Sequence, residues 1–217
     1  MNEELKLPKR IRNHVNPLSI FHENEIELFN NKKPVIIDIG SYRGEFAERM
    51  LKNYGEEKNF VFFEIRKPFY EYLKKLFKEN ENVRVYDGDA GKSLKKMILD
   101  LKENGNEIDK IFINFPDPWF KKKHFKRRFL NEKLLNDLFE VLGENSRIIF
   151  QTDQKVLFKD TIKVIKENKK FSIKKFKFPL LGIQTYWEEM KIKEGNRIYR
   201  MVLQKKDSTK KWWNISF

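Results

Sequence analysis

The chain contains no cysteine. Disulfides and thiolate metal sites are excluded with it, and the absence fits a reducing compartment. Histidine is scarce: His14, His22 and His124 are scattered, without metal-ligand spacing, so no metal is expected. No apolar run approaches the roughly 18 residues that a membrane-spanning helix needs. Met1 to Lys9 carries acids and no apolar centre, so it is not expected to act as a signal peptide, and a soluble cytoplasmic protein is the expectation. Acids are also short: 32 Asp and Glu stand against 46 Lys and Arg, a formal net charge of +14. Such an excess favours an acidic partner, nucleic acid before an anionic membrane surface.

What is present is alternation. Apolar runs at 34–40, 59–64, 83–86, 108–115, 147–151, 171–178 and 198–203 read as strands, and amphipathic stretches at 45–53, 68–77, 93–101, 132–142 and 156–168 read as helices. The order predicts an α/β fold, a mostly parallel, doubly wound sheet with helices on both faces. One domain is expected over residues 33–204. A basic arm, 1–32, with Lys9, Arg10 and Arg12, precedes it. A charged tail, 205–217, carries Trp212 and Trp213 as a candidate docking segment. Residues 180–193 read as a loop holding Thr185-Tyr186-Trp187-Glu188, and Arg200 interrupts the apolar run of the last strand.

The most unusual stretch runs from Ile111 to Leu130. A buried strand breaks at Pro116-Asp117-Pro118, where two prolines stiffen the backbone around one carboxylate. Trp119 follows, then the run Lys121, Lys122, Lys123, His124, Phe125, Lys126, Arg127, Arg128. An acid, an aromatic and a block of cations just past a strand end suit a site where a polyanion meets chemistry. The cations would grip phosphates, and Trp119, Phe120 or Phe125 could stack a splayed base.

Acids also collect at other strand ends: Asp38, Glu64, Asp89 and, after the fifth strand, Asp153. Three readings compete. A magnesium or calcium cluster would use carboxylates, but no ligand spacing accompanies them. A nicotinamide dinucleotide would place its ribose on the second-strand acid, but Gly40-Ser41-Tyr42-Arg43-Gly44 lacks the full glycine pattern for a pyrophosphate. S-adenosylmethionine has no phosphate and offers hydroxyls, an ammonium and an amine to carboxylates, and it fits the acid set best.

Asn114-Phe115-Pro116-Asp117-Pro118-Trp119-Phe120-Lys121-Lys122-Lys123-His124-Phe125-Lys126-Arg127-Arg128 closely resembles the signature of the bacterial tRNA (guanine-7-)-methyltransferases. Asp38-Ile39-Gly40, Gly44-Glu45-Phe46, Glu64, Asp89-Ala90, Thr152-Asp153 and Thr185-Tyr186-Trp187-Glu188 follow in the family's order, so the resemblance spans about residues 35–203. It implies the class I methyltransferase sheet of seven strands with an antiparallel last strand. It further implies S-adenosylmethionine held by Asp38, Gly40, Glu64, Asp89, Ala90 and Asn114. Asp117 would be the catalytic residue at the junction of cofactor and guanine. Lys121, Asp153, Thr185 and Glu188 would contact the substrate nucleotide, and Lys122, Lys123, Lys126, Arg127 and Arg128 the RNA backbone. The implied substrate is tRNA, at guanine 46 (tRNA numbering) of the variable loop, and the implied assembly is a monomer or homodimer. Tyr42 stands at a usual glycine, Phe120 at a usual proline, Lys123 at a usual arginine and Asp38 at a common glutamate. Two other readings remain open on the residues: an amino-methyltransferase acting on adenine or cytosine, to whose Asn/Asp-Pro-Pro-aromatic turn Asn114 to Asp117 is loosely similar, and an RNA-binding protein without cofactor.

Overall fold

A computed structural model describes residues 27–119 and 127–206. The apolar runs fold as strands: β1 (Val35–Ile39), β2 (Asn59–Phe63), β3 (Val83–Tyr86), β4 (Ile108–Asn114), β5 (Arg147–Thr152), β6 (Phe171–Phe176) and β7 (Tyr199–Lys205). The helices between them are α1 (Glu45–Tyr54), α2 (Lys67–Leu76), α3 (Ala90–Glu103), α4 (Glu132–Val141), α5 (Lys155–Asn168) and α6 (Tyr186–Lys193). The strands form one sheet in the order β3-β2-β1-β4-β5-β7-β6. The pairs among β1 to β5 are all parallel, whereas β7 runs antiparallel to both β5 and β6. The alternating α/β expectation holds, as does the antiparallel last strand.

Period-two alternation divides the core. Val35, Ile37, Val61, Phe63, Ile111 and Ile113 face a layer that includes α3, α4 and α5. Ile36, Phe60, Phe62 and Phe112 face the layer of α1 and α2. Phe60, Phe62 and Phe63 are among the largest fully buried side chains, each contributing roughly 1.5–3 kcal/mol by leaving water. No described helix is long and apolar enough to cross a membrane.

From β1 the chain first winds outward through β2 and β3, then returns to β4 on the other side of β1. That reversal opens a crevice beyond the C-terminal ends of β1 and β4, where ligands bind in open parallel sheets.

Three local expectations are corrected. The third helix begins at Ala90, not residue 93, because the Asp89 side chain caps it by accepting from the Gly91 N–H at 3.0 Å. Residues 180–193 are not one loop: Thr185 caps α6 by accepting from the Glu188 N–H at 3.0 Å. Tyr186, Trp187, Met190 and Ile192 follow no single helical face, which hid the helix, but Thr185-x-x-Glu188 is a capping signature that was there to be read. β6 also stops at Phe176, leaving Phe178 largely in solvent.

Candidate active site

The crevice is a cleft of about 530 Å³ walled by the ends of β1, β2, β4 and β5 and by the start of α6. Asp38, Gly40, Glu64, Asp89, Ala90, Asn114, Asp117, Asp153, Arg127 and Thr185, all named from the sequence, line it together.

The β1–α1 turn sets one wall. Gly40 has φ +84°, and a Cβ there would meet nothing within 4 Å, so its backbone faces the open cleft. Gly44 has the same φ for a packing reason: a Cβ would come within 2.8 Å of Leu73 Cδ2 on α2. Between them Tyr42 is also left-handed, φ 51°. A glycine would adopt that conformation freely, whereas the tyrosine carries a strain of order 1 kcal/mol. Its ring packs on Phe69 at 4.6 Å and under the Arg66 guanidinium at 4.8 Å, so it forms the wall and does not cross the cleft.

Asp38 is buried at the end of β1. The Ser41 hydroxyl donates to it at 2.7 Å and the Asn114 amide at 3.1 Å. Burial nevertheless dominates and, with a smaller push from the charge of Glu64, raises its pKa to about 6. The Asn114 Oδ1 is buried without a hydrogen-bond partner. Glu64, also buried, accepts four hydrogen bonds. Oε1 takes the Arg66 N–H at 2.9 Å and Nε at 2.7 Å, and Oε2 takes Arg66 Nη2 at 2.9 Å and the Tyr42 N–H at 2.8 Å. Arg66 thus belongs to the site, and its place two residues past a strand-end acid was the available signal. Burial also raises the pKa of Asp89, against the Gly91 N–H that lowers it.

The opposite wall is the Pro116-Asp117-Pro118 turn. Phe115 and Trp119 on either side have φ 49° and 43°. With Tyr42 they are three of the five non-glycine left-handed residues among those described, and all three line the cleft. Backbone strain therefore concentrates at this site. The turn is held at both ends: the Phe115 N–H donates to the Gln151 carbonyl at 2.9 Å, and Arg128 Nε donates to the Pro118 carbonyl at 3.0 Å. Arg128 also pairs with Asp160 on α5 at 2.8 Å and is buried, facing inward where the sequence suggested the RNA backbone. Arg127 lies over the Trp119 ring at 5.0 Å. Lys121, Lys122, Lys123 and Lys126, with Phe120, His124 and Phe125, fall outside the described residues, as do Arg10, Arg12, Trp212 and Trp213.

On the β5 and α6 side, Asp153 accepts from the Gln154 side chain at 2.8 Å. Glu188, expected against the substrate, is fully buried and away from the cleft lining, ion-paired with Arg200. That pair explains why an arginine interrupts the last strand. Tyr186 and Trp187, named from the sequence as part of the Thr185-Tyr186-Trp187-Glu188 motif but given no role, and Lys191, not singled out, line the cleft in its place.

The donor-accepting set suits a ligand rich in hydroxyl and N–H donors. Asp38, Glu64 and Asp89 with the unpartnered Asn114 oxygen would hold a ribose, an ammonium and an adenine amine, and S-adenosylmethionine carries all three.

A family model described as "Putative methyltransferase" matches residues 32–201. The tRNA (guanine-N(7)-)-methyltransferase of Prochlorococcus marinus strain NATL1A is 34% identical over 173 residues, 76% of this chain and 79% of the relative. That of strain NATL2A is 32% identical over 208 residues, 88% of this chain and 95% of the relative. Among solved structures, a SAM-dependent O-methyltransferase from Thermotoga maritima superposes with a TM-score of 0.50 at 14% identity, covering 83% of this chain and 63% of that one. At that identity the likeness concerns the fold alone.

Proposed function

The chain belongs to the tRNA (guanine-N(7)-)-methyltransferase family, and from that premise we propose how its cleft performs the reaction. The chain transfers a methyl group from S-adenosylmethionine to N7 of a guanine in tRNA. The finer proposal is that this guanine is number 46 of the variable loop, and that the enzyme works in the cytoplasm. The observation that carries the reading is the meeting of four strand-end carboxylates, Asp38, Glu64, Asp89 and Asp117, around one cleft at the reversal of strand order.

Bound S-adenosylmethionine supplies a methyl group on a positively charged sulfur, and the positive charge passes to the purine as N7 accepts the methyl. Asp38, Glu64, Asp89, Asn114 and the backbone at Gly40 and Ala90 would hold it. N7 carries a lone pair and no proton, so no general base is required. The residues must align the base, exclude water and favour a cation where it develops. Alignment alone supplies several kcal/mol. Asp117, fixed by two prolines and by Arg128 through Pro118, presents a carboxylate to the guanine ring as that ring becomes cationic. It acts by position and charge and takes no proton.

Lys121, Asp153 and Thr185 would contact the nucleotide, while Glu188 acts through Arg200 to seat α6. Lys122, Lys123, Lys126 and Arg127 would bind phosphates, with affinity that falls steeply as salt rises.

The test is to incubate the protein with methyl-labelled S-adenosylmethionine and unmodified tRNA, digest, and identify the labelled nucleoside. Label in 7-methylguanosine, lost when guanine 46 is replaced, is the expected result. Label in methylated adenosine or cytidine would overturn it.

A further inference from the structure

Helix α6 is built inside out. Its one buried side chain is Glu188, while Tyr186 and Trp187 beside it are 43% and 44% exposed. A helix that sends its acid inward and its aromatics outward gives up apolar burial and must compensate a buried charge. Here the compensation is specific. Glu188 pairs with Arg200, whose other nitrogen donates to the Lys177 carbonyl at 2.7 Å. From the other side of the helix start, Arg49 on α1 donates to the Gln184 carbonyl at 2.8 Å and pairs with Glu189. Two arginines and the Thr185 cap thus fix the first turn of α6, and what that turn presents to the cleft is two aromatic rings.

A stiff aromatic shelf on a cleft is the arrangement that stacks a nucleobase. The Trp187 ring already sits against a cation, with the Lys191 ammonium 5.0 Å from its centroid. Methylation at N7 gives a flat ring that is itself cationic, and attraction between a cation and an indole face grows as that charge develops. We propose that Trp187, flanked by Tyr186, is the stacking platform for the target guanine, and that it binds the methylated ring more tightly than the unmethylated one. The proposal rests on the methyltransferase reading of the same cleft and adds the residue that reads the face of the base.

The test uses the full chain with unmodified tRNA, and binding of S-adenosylhomocysteine as the control for the cofactor half. Stacking of one base corresponds to roughly a 5- to 150-fold change in affinity. Trp187→Ala is expected to lower kcat/KM for tRNA by about 30-fold, with melting temperature and S-adenosylhomocysteine affinity unchanged. Trp187→Phe, which keeps a ring, is expected to stay within about threefold of wild type. Wild type is expected to bind 7-methylguanosine 5′-monophosphate more tightly than guanosine 5′-monophosphate, and Trp187→Ala to remove most of that preference. Normal methylation by Trp187→Ala overturns the proposal. So does a Phe variant as poor as the Ala variant, or a loss of S-adenosylhomocysteine affinity in either. If wild type itself places no label in 7-methylguanosine, the functional reading fails instead, and the two failures are separate.

Discussion

Two regions of the molecule handle charge in opposite ways. Residues 43–89, which carry α1 to β3, hold ten basic and ten acidic residues. Residues 169–206, which carry β6, α6 and β7, hold eleven basic residues and three acids. Of those three, Glu188 is buried against Arg200, and Glu189 and Glu194 pair with Arg49 and Lys191. The first region aims carboxylates into the cleft and is neutral overall. The second turns Glu188 and Glu194 toward its own cations and Glu189 toward Arg49 of the first region, and it leaves lysines such as Lys174, Lys175 and Lys177 on the edge strand and the residue after it. A small cationic cofactor and a large polyanion make incompatible demands on one surface, and the proposed reading assigns the cofactor to the first region and the polyanion to the second, with the Asp117 turn at the seam.

Substitutions at four places would break or sharpen that division. The largest effect is expected at the seam. Asp117→Ala should lower single-turnover methyl transfer by about 100- to 1,000-fold, the usual loss for one electrostatic group. Binding of tRNA by filter retention should stay within about threefold. Lost tRNA binding with normal single-turnover chemistry would refute the assignment.

In the cofactor half, Asp38→Asn should weaken S-adenosylhomocysteine binding at least about tenfold, because one charged hydrogen-bond acceptor is lost. The same change should raise the melting temperature of the ligand-free protein above pH 7. Asp38 has its pKa raised from 3.8 to about 6. It therefore binds a proton more tightly folded than unfolded. Its contribution to stability is fully present below pH 3.8 and is lost as pH rises through 6, a cost of roughly 3 kcal/mol at neutral pH. Ligand binding should follow the opposite course in wild type, strengthening between pH 5 and 7 as the carboxylate ionises. Calorimetric titration at both pH values should show the trend, and Asp38→Asn should flatten it.

Arg128 sharpens the boundary between chemistry and grip. Because it faces Pro118 and Asp160, Arg128→Lys should lower kcat by roughly tenfold through a loosened Asp117 turn. The dependence of tRNA affinity on salt should keep its slope. A slope reduced by about one would place Arg128 on a phosphate instead.

The smallest effect belongs to the basic edge. Lys174→Ala and Lys175→Ala should each weaken tRNA binding about two- to threefold and lower the salt slope by about one. Lys74→Ala and Lys75→Ala on α2 should do neither. Equal losses from both pairs would dissolve the distinction between the two regions.

The fold was legible because apolar runs at strand spacing are unambiguous when each ends in an acid or a glycine, as at Val35 to Gly40 and Asn59 to Glu64. The Asp117 turn was legible because two prolines one residue apart leave few backbone choices. Asp89 was legible as a strand-end acid of the cleft but not as a helix cap, since capping depends on where the chain turns. α6 was not legible from periodicity, because its aromatics face the cleft and its acid faces the core, the reverse of what hydrophobic patterning assumes. The Glu188–Arg200 pair joins two elements by contact, and nothing in their local sequence announces it. Arg128 looked like one more cation in a basic run, and only its partners Pro118 and Asp160 set it apart.

The clamping of α6 has a calorimetric consequence. Because Arg49, Arg200 and the Thr185 cap fix the first turn during folding, ordering that shelf is not charged to the binding step. Docking a base there should carry a small negative heat-capacity change set by the apolar area of one ring face, without the large unfavourable entropy that accompanies a segment folding onto its ligand. Titrating the protein with 7-methylguanosine 5′-monophosphate at several temperatures would then report on a surface already in its final shape.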